Sequence, residues 1–272
     1  MIDLKQMLEA VPEMLTVTEL PAPELFPDTV LYGIRYKSDD CEVTGYAAFP
    51  RTFETPLPAI VYNRGGNREF GFLRPEGVCR FAKHGYVVLG SQYRGNQGGT
   101  GHEEFGGADV NDVIKLIDIA LELPITVKSG VYMIGHSRGG MMTYLSCARD
   151  ARIRAAVVGA GIADSFMMYE DREQSMKDVY HELVGGGPEE KHDAFVARSA
   201  THWPEKIIPP LLICQGTDDW RVDPRQSKTL HERMVAAGKE CELILYDGAD
   251  HSLQGTTFVP DAVEWLKKHP LA

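Results

Sequence analysis

No apolar run in the chain approaches the ~20 residues that a bilayer-crossing helix requires. The opening MIDLKQMLEA carries charges through what would be the apolar centre of a secretory leader. A cytoplasmic location and no membrane partner are therefore the default expectation. Positive charge is scarce. With 28 Lys and Arg against 39 Asp and Glu, the formal net charge is −11. A surface of that sign repels phosphate backbones and anionic lipid, which argues against a nucleic-acid partner. Cysteine is sparse too: Cys41, Cys79, Cys147, Cys214 and Cys241 are widely spaced, odd in number and free of any CxxC. Reduced thiols behaving as small hydrophobes are expected, not a disulfide framework. The chain has no HExxH, no paired Cys/His spacing and no EF-hand loop, so neither metal nor cofactor is expected. The glycine-rich stretch Tyr93 to His102 lacks the Gly-Lys-Ser/Thr ending of a phosphate loop, and it reads as an ordered loop beside a site.

What is present suits one large domain over 1–272, with 43% hydrophobic and 25% charged residues. Strand-like runs occupy 29–36 and 43–49 within an N-terminal extension of about 55 residues. Beyond the turn Thr55-Pro-Leu-Pro, short continuous apolar runs at 59–62, 86–89, 131–134, 155–158, 211–214 and 243–246 alternate with helix-period segments. That pattern predicts a mostly parallel sheet with crossover helices on both faces. Helices are expected over 109–123, 224–237 and 258–268, the second with Asp223 as N-cap and Pro224 in its first turn. The acidic, Met- and Tyr-bearing segment 165–206 interrupts the alternation and is expected to form a small helical cap. Phe166, Met167, Met168 and Tyr169 could wall an apolar pocket or simply pack in the core.

The sharpest local signal is Gly135-His136-Ser137-Arg138-Gly139-Gly140, preceded by an apolar run and followed by a helix-like segment. A G-x-S-x-G between strand and helix is the nucleophile elbow of the α/β-hydrolase fold. Small residues at 135 and 139 allow a sharp turn on which strand and helix nearly touch. Serine is a weak nucleophile at its free pKa and needs a base with an orienting acid. In this fold they follow in the order Ser, Asp or Glu, His, each beyond a later strand. The run at 211–214 leads into Gln215-Gly-Thr-Asp218-Asp219, and the run at 243–246 leads into Asp247-Gly-Ala-Asp250-His251. His251 is the expected base, and Asp218 or Asp219 the acid. His136 is expected to pack. His181, His192 and His202 fall in the cap, and Asp109 and Asp112 read as helix-start residues facing the dipole.

The backbone N–H of Arg138 is the expected first donor of an oxyanion hole, with a second from Gly65 or Gly66 in the loop Asn63-Arg64-Gly65-Gly66-Asn67.

These segments together resemble the catalytic domain of the prolyl oligopeptidase family. The resemblance runs from about 59 to 265 and rests on Arg64-Gly-Gly, Tyr93-Arg-Gly, Gly107-Ala-Asp-Val-Asn-Asp-Val113, the Ser137 elbow, Gln215-Gly-Thr-Asp-Asp-Trp-Arg-Val222 and Ala249-Asp-His-Ser252. The family's His-Gly-x-x-Asp-x-x-Val pattern places the acid at Asp219, with Val222 three residues on. Gln215 stands where that pattern has His, a change expected to matter little. Some 55 residues cannot build the β-propeller that filters peptides in these peptidases. The resemblance therefore implies a serine hydrolase acting on a small ester, with a short peptide as the alternative substrate. It leaves the oligomeric state open; a homo-oligomer is compatible with it.

Overall fold

The computed structural model describes residues 2–271. Its frame is one sheet of β1 (Met14–Leu20), β2 (Thr29–Ser38), β3 (Cys41–Pro50), β4 (Ala59–Asn63), β5 (Val87–Ser91), β6 (Val131–His136), β7 (Ile153–Gly159), β8 (Leu211–Gly216) and β9 (Cys241–Tyr246). The spatial order is β1-β2-β3-β5-β4-β6-β7-β8-β9. The pairings β1/β2, β2/β3 and β3/β5 are antiparallel, and every pairing from β5 across to β9 is parallel. The N-terminal strands thus extend the main sheet.

Alternation along the parallel strands separates two apolar layers, as a period of two requires. Val61, Val87, Leu89, Val131 and Met133 face one core, while Ile60, Val88, Tyr132 and Ile134 face the other. The first core is closed by α1 (Leu4–Glu9), α3 (Val110–Glu122), α4 (Arg138–Cys147) and α8 (Pro224–Ala236). The second is closed by α2 (Pro75–Ala82) and α9 (Phe258–Lys268). The expected helices at 109–123, 224–237 and 258–268 all form within a residue or so. Asp223 caps α8 by accepting from Arg225 N–H at 2.7 Å.

Segment 165–206, between β7 and β8, folds as α5 (Ser165–Asp171), α6 (Gln174–Leu183), α7 (His192–Ala197) and two short 3₁₀ turns. Asp164 starts α5 by accepting from the N–H groups of Phe166 and Met167. Phe166, Tyr169, Tyr180 and Phe195 pack ring against ring inside this segment, so Phe166 and Tyr169 serve packing. Met168 and Met176 face the cleft described below. The five thiols are all free; Cys79, Cys147 and Cys214 are buried and the other two half-buried. Among the described residues, no helix is long and apolar enough to cross a membrane.

The reading of Asp109 and Asp112 as dipole residues needs correction. Neither makes a side-chain capping bond to α3. Both are fully buried: Asp112 takes the forked guanidinium of Arg94, and Asp109 takes that of Arg138. A carboxylate buried to that degree needs a paired cation, and a position at a helix start does not supply one.

Candidate active site

Ser137 stands at the tip of β6, before α4, with φ 59° and ψ −124°. A non-glycine residue rarely adopts such a conformation, and one that does is held there by its surroundings. Here the surroundings are backbone. Ser137 N–H donates to Gly159 O at 3.0 Å, and Ser137 O accepts from Gly140 and Ile162. A Cβ on Gly135 would lie 2.1 Å from Gly139 O, and one on Gly139 would lie 2.0 Å from Asn63 O. The glycines of the motif are therefore required by contact.

The loops that follow β8 and β9 are fastened together. Thr217 N–H donates to Tyr246 O and Asp218 N–H to Ala249 O, each at 3.0 Å. Gly216 permits this approach, since a Cβ there would stand 2.3 Å from Ala249 O. The consequence is a chain of contacts across three loops. Ser137 Oγ lies 3.0 Å from His251 Nε2, and His251 Nδ1 lies 2.9 Å from Asp219 Oδ2 and 3.1 Å from Oδ1. Asp218 is exposed, whereas Asp219 is 4% exposed.

Burial alone would raise the Asp219 carboxyl, but hydrogen bonds from His251, from Val222 N–H and from Gln215 outweigh it and hold it below the usual carboxylate range. Arg221 and Val222 N–H groups donate to Oδ1, and the Gln215 side chain donates to Oδ2 at 2.8 Å. Gln215, the departure from the family pattern, thus touches the carboxylate directly through its amide. His136 packs its ring 5.1 Å from that of His251 and bonds His251 O through Nε2 at 2.8 Å. Burial, with His251 beside it, pushes the His136 ring down to about 4. It is neutral near pH 7, and the carbonyl partner requires its Nε2 to carry the proton.

Gly65 approaches the serine closely, since a Cβ there would meet Ser137 Cβ at 2.9 Å. Gly65, Gly66 and Arg138 line a cleft of about 470 Å³ together with Ser137 and His251. Among the described residues the N–H groups of Gly65, Gly66 and Arg138 donate to no protein acceptor. The cleft is arginine-rich: Arg68, Arg172 and Arg221 line it, and Glu173, its one acidic lining residue, is paired with Arg172 at 2.8 Å. Trp220 and Phe70 stand exposed at its mouth, with the Arg221 guanidinium between their rings. His181, His192 and His202 do not reach it.

Sequence reasoning missed the support behind the cleft. Glu103 is buried, pairs with Arg138, and accepts from Arg68 N–H at 3.0 Å and from Asn96 Nδ2 at 2.7 Å. Gln92 holds Leu73 through both ends of its amide. Charged and amide residues in a loop read as solvated unless their partners are known.

A family model described as the prolyl oligopeptidase family matches residues 77–269. The chain belongs to the prolyl oligopeptidase family. It is 30% identical over 241 residues to the uncharacterized peptidase YtmA of Bacillus subtilis, an alignment covering 87% of this chain and 93% of that one. Among solved structures, Pyrococcus horikoshii acylaminoacyl peptidase superposes with a TM-score of 0.75 at 20% identity, over 98% of this chain and 43% of that one. Acetyl xylan esterase from Paenibacillus sp. R4 superposes with a TM-score of 0.73 at 17% identity, over 96% and 90%. At such identities the superpositions establish the α/β-hydrolase fold. Membership in this family makes the chain a serine hydrolase. The relatives it matches include proteins named as peptidases and others named as esterases.

Proposed function

We propose that the protein hydrolyses carboxylic esters through an acyl-enzyme on Ser137. The observation that carries this reading is the Ser137–His251–Asp219 relay, with 3.0 and 2.9 Å contacts on the two sides of one imidazole. In this mechanism His251 takes the Ser137 proton as Oγ attacks the ester carbonyl, and Asp219 steadies the imidazolium that forms. The tetrahedral oxyanion is met by backbone N–H groups of Arg138 and of Gly65 or Gly66. His251 then returns the proton to the leaving alcohol. Water, deprotonated by the same ring, releases the acid and restores the serine.

The cleft's charge favours an ester over a peptide with a free N-terminus. A terminal ammonium would face Arg221 and find no unpaired carboxylate among the lining residues, since Glu173 is held by Arg172 and Arg68 is itself paired with Glu182. Likeness over nearly the full length of an acetyl xylan esterase agrees with this choice. A second reading, cleavage of peptides whose N-terminus is blocked, is supported by the peptidase relative and by the acylaminoacyl peptidase likeness.

The test compares kcat/KM on short-chain nitrophenyl esters with that on free and N-acylated aminoacyl nitroanilides. Esters are expected to lead by orders of magnitude. Amide turnover equal to ester turnover would overturn the preference. Ser137→Ala should abolish both turnover and fluorophosphonate labelling.

A further inference from the structure

Behind the cleft lies a stack of three buried side chains. The Tyr93 ring is flanked by the guanidinium groups of Arg64 and Arg138, at 5.0 and 4.7 Å from its centroid. None of the three is more than 2% exposed. Each holds one carbonyl of the loop that follows β4, and the three carbonyls are consecutive. Tyr93 Oη donates to Arg64 O at 2.9 Å, Arg64 donates to Gly65 O at 2.9 Å, and Arg138 donates to Gly66 O at 3.2 Å.

A trans peptide is planar, with its N–H directed opposite its C=O. Holding a carbonyl from behind therefore aims the next residue's N–H forward. The Arg64 carbonyl fixes Gly65 N–H, and the Gly65 carbonyl fixes Gly66 N–H. Both glycines line the cleft beside Ser137, and neither N–H has a protein acceptor among the described residues.

We infer that the Arg64–Tyr93–Arg138 stack is the positioning device of the oxyanion hole. Tyr93 and Arg64 turn the carbonyls of residues 64 and 65 away from the cleft so that Gly65 and Gly66 present N–H groups to it, and Arg138 anchors the Gly66 carbonyl that follows. The inference rests on the proposed Ser137 mechanism. Arg138 joins the two halves of the hole, because its own N–H lies at the start of α4 while its side chain holds the facing loop. Glu103 and Asp109 balance its charge and leave the fork fixed. Tyr93 is brought inward by a left-handed backbone, φ 65°, a conformation an aromatic residue keeps only where packing enforces it. Burial raises its phenol well above the ordinary value, so it stays a donor throughout the working pH range.

Tyr93→Phe keeps the stacked ring and removes one carbonyl anchor. We expect kcat to fall about tenfold, the effect of one misdirected hydrogen bond, with KM nearly unchanged and Tm lowered by the buried carbonyl left without its donor. Affinity for an aryl boronic acid, whose tetrahedral adduct on the serine places an oxygen in the hole, should weaken by a similar factor. Arg64→Lys keeps the charge and loses the forked contact to Gln92 O and Gly65 O; it should show the same kcat and boronate losses with a lower Tm, and it serves alone if the Phe variant does not fold. Wild-type kcat and boronate affinity in a folded variant would overturn the inference. So would a kcat loss with boronate affinity intact. Ser137→Ala forms a separate arm: turnover surviving there sinks the serine mechanism itself, whatever Tyr93→Phe does.

Discussion

Gln215 donates its amide N–H to Asp219 Oδ2 at 2.8 Å while its own carbonyl accepts the Ser227 hydroxyl at 2.8 Å. One side chain thus orients the carboxylate that orients the imidazole. Gln215→Leu preserves much of the volume and removes that grip. A fall in kcat of about tenfold with KM steady is expected from steady-state kinetics, since one charge-assisted bond is lost. An unchanged kcat would mean that the two backbone donors suffice.

The neighbouring aspartates should behave very differently. Asp219→Asn leaves the geometry near His251 but supplies the wrong partner for its Nδ1–H, and kcat should fall by roughly 10⁴-fold. Asp218→Asn, at an exposed carboxylate, should stay within about twofold of wild type. Comparable losses in both variants would contradict the assignment of the acid.

Two glycine substitutions should strain the elbow to different degrees. In Gly139→Ala the new methyl would sit 2.0 Å from Asn63 O, a backbone atom that cannot swing aside. A loss of about 3 kcal/mol or more in unfolding free energy is expected by denaturant titration. In Gly65→Ala the methyl meets Ser137 Cβ at 2.9 Å and lies 3.5 Å from Oγ. His136 O stands 3.1 Å away as well, so that variant should lose most hydrolase activity with a fall in Tm smaller than that of Gly139→Ala.

The chemistry of the site was more legible in the sequence than its support. Ser137, Asp219 and His251 stand beyond strand ends in the order their fold demands, and continuous apolar runs mark those strands. Strand β1 escaped because its pairing shifts between Met14 and Thr16, which breaks the alternation that identifies a strand. Arg64, Glu103 and Asp109 escaped for another reason. Their burial depends on partners distant in the chain: Arg64 holds Gln92 O 28 residues on, and Arg138 joins Glu103 and Asp109 from 35 and 29 residues beyond them. Gln215 escaped likewise: comparison with a family pattern marked it as a departure, and only coordinates showed which atom it holds.

The depressed His136 ring links acidity to stability. Its folded pKa lies near 4, below the ordinary 6.5, so the unfolded chain binds the extra proton first. The stabilisation is complete above about pH 6.5 and is lost as pH falls towards 4. Thermal unfolding measured between those limits should show Tm declining with acidity, and His136→Gln should flatten that slope. An equal slope in the variant would assign the loss to other groups.

His251 stands on the loop after β9, and β9 is the outermost strand, paired on one side only. Sheet margins open more readily than sheet centres, and amide protons there exchange with solvent through local fluctuations well short of global unfolding. The imidazole of the relay is thus carried by a rim of the molecule while the serine is rooted in its middle. Mild denaturant should therefore extinguish turnover before the far-ultraviolet circular dichroism is lost.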